Sequence, residues 1–164
     1  MTKTDSPFRF VIFGREHIKD AAALEAECFS EPCTEAGLAH LCDSESAVAV
    51  VCTDENDGGR LLAYCGAEYV PDEAEILNVA TRSDMRRRGC ATGVLTELEK
   101  VLYARGVRKV FLDVRESNLP ARTLYDRLGY TVTGKRRNFY RFPREDAILM
   151  MKELTGSDGE PEEK

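Results

Sequence analysis

A basic segment that lies between a predicted strand and a predicted helix is the first feature of this sequence that could do chemistry. It reads Arg82-Ser83-Asp84-Met85-Arg86-Arg87-Arg88-Gly89-Cys90-Ala91-Thr92-Gly93. The first turn of a helix has unpaired N–H groups and a partial positive charge, and Gly89 and Ala91 leave the backbone open to close approach. The segment is therefore a candidate phosphate site. A solvated arginine loop in front of an ordinary helix explains the same residues equally well, and neither common nucleotide-binding motif is matched.

Apolar periodicity predicts the elements that position this segment. Strands are expected at 8–14, 47–53, 60–70, 74–81, 107–115, 130–135 and 146–154, and helices at 16–29, 34–41, 90–105 and from the cap Asn118 to Gly129. A strand–helix–strand unit requires a parallel crossover, whereas Asp57-Gly58-Gly59 favours an antiparallel hairpin. The sequence thus predicts a mixed sheet with helices, in one domain over residues 1–154, followed by an acidic, disordered tail at 155–164.

Length and composition restrict the class of protein. The chain has 164 residues, of which 43% are hydrophobic and 32% charged, as expected for one globular domain. No apolar run is long enough to span a membrane, and the first residues, MTKTDSPFRF, do not form an apolar export signal. We therefore expect a cytoplasmic protein without a membrane partner.

Charge is segregated along the chain. Residues 1–81 carry 5 Lys or Arg against 16 Asp or Glu, residues 82–144 carry 16 against 6, and residues 145–164 carry 2 against 7. The basic middle indicates an anionic ligand, and the acidic first half indicates a cationic one. Solvated faces of opposite sign are the alternative.

The six cysteines follow no metal-binding or disulfide pattern. No C-x-x-C pair occurs, and the spacing of Cys28, Cys33, His40 and Cys42 matches no common zinc site. Reduced thiols that pack as small hydrophobic groups are the better interpretation, so no metal is expected.

The segment Arg86-x-x-Gly89-x-Ala91, after a strand that ends in Asn78-Val79-Ala80, resembles the acetyl-CoA-binding motif Q/R-x-x-G-x-G/A of the GNAT N-acetyltransferase superfamily. The resemblance continues through 112–130 and 134–150, which are similar to the bacterial ribosomal-protein-alanine N-acetyltransferases. It covers 74–154 well and 8–73 in element order. It implies an α/β (α+β) fold with about seven strands in a mixed central sheet and about four flanking helices. A splayed parallel strand pair would hold acetyl-CoA in this fold.

The resemblance also assigns roles toward acetyl-CoA. Residues at the end of the strand would face the acetyl and pantetheine portion, basic and small residues would surround the pyrophosphate, and Asn118 would touch the pantetheine arm. The residues assigned to acetyl-CoA are Val79, Ala80, Thr81, Arg86, Arg87, Arg88, Gly89, Cys90, Ala91, Thr92 and Asn118.

The amine that attacks the thioester must be neutral, so the reaction needs a base, and an acid must protonate the departing thiolate. The family's positions for these groups correspond to Asp113 and Tyr125. The family has Glu at the first position, and the Asp113 carboxylate is drawn back by about 1.5 Å. A bridging water makes up that distance. Alternatively, Asp113 pairs with a neighbouring arginine and shapes the site, and Glu116 is then the nearest substitute.

Residues near the acceptor are expected on two segments. Arg136-Arg137-Asn138-Phe139-Tyr140-Arg141 interleaves cations with aromatic rings, a pattern that could bind nucleic acid, but its family counterpart lies at the peptide-binding mouth. We favour the second interpretation, with Tyr140 lining the acceptor slot. Glu31 and Glu35, with Asp43 and Glu45 nearby, would attract a cationic N-terminal peptide.

These observations predict an acetyl-CoA-dependent N-acetyltransferase that acts on a protein N-terminal α-amine, specifically the N-terminal alanine of a ribosomal protein. Acetylation of a small-molecule amine or a lysine remains open, because the same fold permits it. A catalytically weak acyl-CoA-binding module is the alternative from another class. The sequence does not predict the oligomeric state.

Overall fold

The computed structural model describes residues 7–86 and 88–156, which form a seven-stranded sheet and four α-helices. The strands are β1 (Phe8–Ile12), β2 (Ala47–Asp54), β3 (Arg60–Val70), β4 (Glu73–Thr81), β5 (Lys109–Arg115), β6 (Thr131–Arg141) and β7 (Arg144–Glu153). The helices are α1 (Ile18–Cys28), α2 (Glu35–Asp43), α3 (Cys90–Ala104) and α4 (Leu119–Arg127). In the part of the chain so described, no helix has the length and apolar character needed to cross a membrane.

The sheet has the order β1-β2-β3-β4-β5-β7-β6 and mixes parallel and antiparallel pairs, as predicted. β4 and β5 are parallel, because α3 returns the chain to the edge from which β4 started. Their register runs from Glu73 opposite Lys109 to Glu75 opposite Phe111. The pairing ends at Glu75 and Phe111, whereas β4 continues to Thr81 and β5 to Arg115.

The last hairpin is longer than the sequence predicts. The expected strands at 130–135 and 146–154 are in fact β6, which continues to Arg141, and β7, which begins at Arg144. The pattern failed because the added residues of β6 are mostly exposed and polar, and backbone pairing with β7 extends the strand without an apolar face. Two register shifts and the positive φ of Asn138, 51°, accompany this irregular pairing.

Contacts group the chain into two compact units, Met1–Ala67 with Asn78–Leu98, and Glu68–Leu77 with Glu99–Lys164. We refer to them as the first unit and the second unit. The predicted limit of a single domain at residue 154 stays a prediction, and residues 157–164 of the acidic tail lie outside the described residues.

The core of the first unit consists of apolar residues from α1, α2 and the neighbouring strands. β2 is buried over its first seven residues, as expected for a continuous apolar run. The residues of this core are Phe13, Ile18, Ala21, Leu24, Leu38, Leu41, Ala47, Ala49, Val51, Leu61, Tyr64 and Ala80. Thr34 caps α2 by accepting a hydrogen bond from the Gly37 N–H at 3.1 Å, which confirms the predicted start of that helix.

The second unit contains β5 with the strict alternation that its sequence predicts. Val110, Leu112 and Val114 are buried, and the residues between them are half-buried on the opposite face. Since side chains alternate along a strand, Asp113 shares its face with Phe111 and Arg115. This alternation determines which side of β5 carries the polar groups.

Candidate active site

The first unit contains the loop that connects β4 with α3, here called the basic loop (residues 82–89). Its start is held firmly. Arg82 donates from its backbone N–H to the Leu62 carbonyl at 2.9 Å and from Nε to the Leu61 carbonyl at 2.7 Å. The Glu27 carboxylate accepts from both the N–H and the hydroxyl of Ser83, each at 3.2 Å. The Ser83 N–H is the main reason that the pKa of Glu27 is lowered.

The second half of the basic loop exposes cations next to a helix start. Arg86 and Arg88 are exposed, whereas Arg87 lies outside the described residues. Gly89 has φ +88°, and a Cβ placed there would meet no atom within 4 Å, so the backbone conformation is what requires glycine. α3 starts at Cys90, and its first described hydrogen bond runs from the Gly93 N–H to the Gly89 carbonyl at 2.9 Å.

The first turn of α3 fits the phosphate role predicted for it. The N–H groups of Cys90, Ala91 and Thr92 precede that first helical hydrogen bond, so they have no acceptor inside the helix. Thr92 is exposed and Ala91 half-buried. Open backbone donors, a helix N-terminus and flanking arginines suit the pyrophosphate of acetyl-CoA.

Packing under this helix start fixes its position. Cys90 is fully buried and its thiol hydrogen-bonds with that of Cys52, while burial raises the pKa of both thiols, that of Cys52 to about 12. A Cβ at Gly93 would lie 2.2 Å from the ring of Phe10. Gly93 is therefore a packing residue, which lets α3 lie close to β1. All six cysteines are free thiols.

The end of β4 presents the backbone that the sequence assigned to the acetyl group. Ala80 is buried, whereas Val79 and Thr81 are partly accessible. The carbonyl of Thr81 accepts a hydrogen bond from the Cys28 thiol at 3.4 Å. This contact joins the end of α1 to the end of β4, and the sequence analysis did not anticipate it.

Glu25 is the most deeply buried charged residue that sequence reasoning missed. Its side chain is 1% exposed and accepts hydrogen bonds from three donors. A signal was present, because Glu25 follows Ile18 by seven residues and Ala21 by four, on the apolar stripe of α1. The predicted acceptor-side residues Glu31 and Glu35, in contrast, are exposed.

The second unit carries the predicted base. Asp113 is half-buried on β5 opposite Leu149 of β7. Among the described residues its carboxylate has no hydrogen bond and no ion pair. The alternative in which Asp113 pairs with a neighbouring arginine does not match this geometry, because Arg115 binds Glu145 at 3.2 Å.

Other carboxylates near Asp113 differ in their pairing. Glu116, the possible substitute base, forms an exposed ion pair with Lys135 at 3.0 Å. Glu75 on β4 lies beside Phe111, and partial desolvation together with Asp113 raises its pKa. The sequence analysis did not single out Glu75, since only strand register brings it near β5.

Tyr140 lies on the same side of the sheet as Asp113. Burial, with the nearby charge of Asp113, raises the pKa of Tyr140 to about 12. The guanidinium of Arg115 stacks 4.3 Å from the ring centroid. The second unit therefore brings Asp113 and Tyr140 together, as an acceptor slot beside a base would require.

Tyr125 lies in α4, whose start follows the prediction. The Asn118 side-chain oxygen accepts from the Ala121 N–H at 3.2 Å, and Pro120 occupies the first turn. That oxygen serves as the helix cap, and the contact of Asn118 with the pantetheine arm stays a prediction. Tyr125 is 7% exposed, and its ring contacts Tyr130 edge-to-face, with centroids 5.8 Å apart.

Arg115 also determines the position of the hairpin tip. It donates to the carbonyls of Pro143 at 2.9 Å and of Phe142 at 3.1 Å, in addition to its contact with Glu145. The second oxygen of Glu145 accepts from the Ser117 N–H at 2.6 Å. Hydrogen bonds from Ser117 are the main reason that the pKa of Glu145 is lowered.

Comparison with known proteins places this geometry in a family. The model of the acetyltransferase (GNAT) family matches residues 18–130. A Bacillus subtilis protein with a provisional name as a ribosomal protein bS18-alanine N-acetyltransferase is 32% identical over 135 residues, 82% of this chain and 88% of its own length. The ribosomal protein bS18-alanine N-acetyltransferase of Escherichia coli is 39% identical over 94 residues, 56% of this chain and 64% of that enzyme.

The crystal structure of the ribosomal-protein-S18-alanine N-acetyltransferase from Escherichia coli superposes with a TM-score of 0.81 and 28% identity. The match covers 93% of this chain and 97% of that one. Sheet order, parallel β4–β5 pair and family model thus agree with the fold that the sequence predicted. The chain belongs to the acetyltransferase (GNAT) family and is an N-acetyltransferase.

Proposed function

We propose that this enzyme transfers the acetyl group of acetyl-CoA to the N-terminal alanine of ribosomal protein bS18. The observation that carries the proposal is the similarity to the Escherichia coli enzyme of that name, which extends over 93% of this chain with a TM-score of 0.81. The same activity is named for the Bacillus subtilis relative, of which the chain spans 88%. Cytoplasm, where ribosomal proteins are made, is the compartment that this function requires.

The donor is acetyl-CoA, which supplies the acetyl thioester when bound. The exposed Arg86 and Arg88, with Arg87 as a further candidate, would compensate the charge of its phosphates. The N–H groups at the start of α3 would hydrogen-bond the pyrophosphate, because they lack acceptors inside the helix. The partly accessible backbone of Val79 and Thr81 would bind the acyl end.

Asp113 is proposed as the base. Among the described residues, no hydrogen-bond donor or cation pairs with this half-buried carboxylate, so its oxygens are available for a proton. Asp113 would take a proton from the α-ammonium group, through one water that makes up for its shorter side chain, and so leave the neutral amine that attacks. The nitrogen then forms the new C–N bond as the C–S bond of the thioester breaks.

Tyr125 is proposed as the acid. As the C–S bond breaks, a thiolate forms, and the Tyr125 hydroxyl would donate its proton to that sulfur. Burial of the ring at 7% exposure and its contact with Tyr130 hold the side chain in one orientation. The nitrogen loses its second proton as the C–N bond forms, and through water that proton restores the Tyr125 hydroxyl. Asp113 releases the first proton to solvent, so charge and protons balance over the cycle.

The acceptor side is proposed to recognise a cationic peptide. The exposed Glu31 and Glu35 would attract lysine and arginine side chains, and Tyr140 would line the slot for the N-terminal residue. If raising the salt concentration leaves the KM for such a peptide unchanged, this electrostatic role is excluded, because exposed charges are screened over about 10 Å at 0.1 M.

A single assay tests the proposed function. The full chain is incubated with acetyl-CoA and a peptide of the bS18 N-terminus, and thiol release and peptide mass are both recorded. The matched control peptide has the same sequence with a blocked N-terminus and its lysines intact. Acetylation of the free peptide alone is the expected result. Acetylation of both peptides would assign the activity to lysine. Acetylation of neither would exclude bS18 as the substrate.

A further inference from the structure

The last turns of α1 contain a buried carboxylate that the proposed chemistry does not use. Glu25 is 1% exposed, within the core of the first unit. A buried charge is costly unless hydrogen bonds replace its water. The structure supplies these bonds from three separate segments of the chain, so Glu25 joins them.

Three donors converge on Glu25. The backbone N–H of Cys33 donates to Oε1 at 2.8 Å, and Nδ2 of Asn78 donates to Oε2 at 3.0 Å. The hydroxyl of Tyr64 also donates to Oε2. Burial, followed by this hydrogen bond to Glu25, raises the pKa of Tyr64, so the phenol keeps its proton. All three partners donate, and the group between them must accept, which a carboxylate does with both oxygens.

The segments joined in this way belong to the two sides of the proposed reaction. Cys33 lies in the connection between α1 and α2, here called the acceptor loop (residues 29–34), which contains Glu31. Asn78 directly precedes the β4 residues assigned to the acetyl group. The Glu25 carboxylate therefore connects the acceptor loop to β4, the strand assigned to the acetyl group.

Two neighbours of Glu25 reach the same stretch of chain. The Cys28 thiol donates to the Thr81 carbonyl at 3.4 Å, and the Glu27 carboxylate accepts from the Ser83 N–H at 3.2 Å. The final turn of α1 thus contacts the end of β4 and the start of the basic loop. Only Glu25 among these three side chains also bonds the acceptor loop.

We propose that Glu25 is a positioning residue for the acceptor, because it fixes the acceptor loop relative to the end of β4. The inference rests on the proposed function for the identity of the acceptor. Glu25→Gln keeps the shape of the side chain but turns one acceptor into an NH₂ donor. That donor faces either the Cys33 N–H or the Tyr64 and Asn78 donors, so the carboxylate's full set of bonds cannot form.

Kinetics provide the first test. Glu25→Gln is expected to raise the KM for the bS18 peptide about tenfold, with kcat and the Kd for acetyl-CoA changed less than about twofold. Tyr64→Phe, which removes one donor, is expected to raise the same KM about threefold. Asp20→Asn is the matched control, because Asp20 lies exposed on the same helix. A residue that only stabilises the fold would lower the active fraction and hence kcat, with KM unchanged.

Amide hydrogen exchange provides a test that needs no substrate. In Glu25→Gln, exchange of the Cys33 amide and its loop neighbours is expected to accelerate at least about tenfold. The amides of β2 are expected to stay protected, and Asp20→Asn is expected to match the wild type. Uniform acceleration across α1 and β2, or none in the acceptor loop, would overturn the proposal.

The two tests also separate this inference from the proposed function. If the wild-type enzyme fails to acetylate the bS18 peptide, the proposed function falls, and the exchange experiment still decides whether Glu25 holds the acceptor loop. Should Glu25→Gln fail to fold, the KM and exchange of Tyr64→Phe decide it. An unchanged KM and unchanged loop exchange in Tyr64→Phe would then reject the positioning role.

Discussion

Two carboxylates, Glu25 in the first unit and Asp113 in the second, have opposite surroundings. In the first unit, Glu25 is fully buried and saturated by three donors, and Glu27 is held by Ser83. In the second unit, Asp113 is half-buried without a hydrogen bond among the described residues, and its charge adds to the desolvation that raises the pKa of Glu75. The first arrangement fixes structure, and the second leaves a carboxylate able to exchange protons. Burial alone thus does not distinguish the two carboxylates, whereas their hydrogen-bond partners do.

The largest effect should come from the second unit. Tyr125→Phe removes the proposed proton donor and is expected to lower kcat about 100-fold, with acetyl-CoA binding retained. Thiol release under saturating substrates measures it. Tyr130→Phe is the control, because it removes a hydroxyl from the packing partner of Tyr125, where that hydroxyl bonds Glu99 at 2.8 Å. Equal kcat values for the two variants would show that Tyr125 is not the acid.

Asp113→Asn should separate activity from stability. We expect kcat/KM to fall about 30-fold, because the base is lost. The free energy of unfolding should change by less than about 0.5 kcal/mol, because no described hydrogen bond is broken. Steady-state rates and denaturant titration measure the two quantities. A large loss of stability with little loss of rate would place Asp113 with Glu25 among structural carboxylates.

Glu25→Gln should lower the free energy of unfolding and leave kcat nearly unchanged, the reverse of Asp113→Asn. The variant leaves buried donors poorly paired, so the free energy of unfolding is expected to fall by about 2 kcal/mol, measured by denaturant titration. At saturating peptide its kcat should stay near that of the wild type. If its kcat falls about 30-fold, the contrast between Glu25 and Asp113 disappears.

The basic loop should show a smaller, salt-dependent effect. Arg88→Gln is expected to raise the Kd for acetyl-CoA about fivefold at low salt, and less at high salt, because exposed charges are screened. Titration calorimetry at two salt concentrations measures it. Arg9→Gln, an exposed substitution on β1, is the control and should leave the Kd unchanged at both concentrations.

The smallest expected effect is a change in the pKa of Tyr140 when the charge of Asp113 is removed. The negative charge of Asp113 helps to raise the pKa of Tyr140 to about 12, after burial. Removing that charge makes the phenolate easier to form, so Asp113→Asn should lower the pKa of Tyr140 part of the way toward its ordinary value. Ultraviolet titration, with Tyr140→Phe to identify the signal, measures the shift. No shift would mean that the two side chains do not interact.

Local sequence signals predicted most of the fold. The bounds of β3 were predicted without error, and Thr34 and Asn118 cap their helices as expected, since capping depends only on nearby residues. The long β6 escaped prediction, because pairing with β7 rather than an apolar pattern extends it to Arg141. Family resemblance gave the candidate residues, and the structure then showed how their surroundings differ.

The environment of each candidate could not be read from the sequence. Glu25 and Asp113 both carry a carboxylate, and nothing in the sequence identifies their hydrogen-bond partners. Glu25 nevertheless accepts hydrogen bonds from three segments, whereas Asp113 accepts none among the described residues. Such differences come from contacts between residues 39 and 53 positions apart, as for Tyr64 and Asn78 with Glu25. Only the folded chain brings these groups together.

Arg115 has a consequence for how the enzyme can evolve or be redesigned. It holds the hairpin tip through the carbonyls of Phe142 and Pro143, which every amino acid possesses. These two hydrogen bonds thus do not depend on the identity of the Phe142 side chain, provided that Arg115 and Glu145 remain. Variants at Phe142 would consequently test whether this tip affects acceptor preference while its contacts with Arg115 are retained.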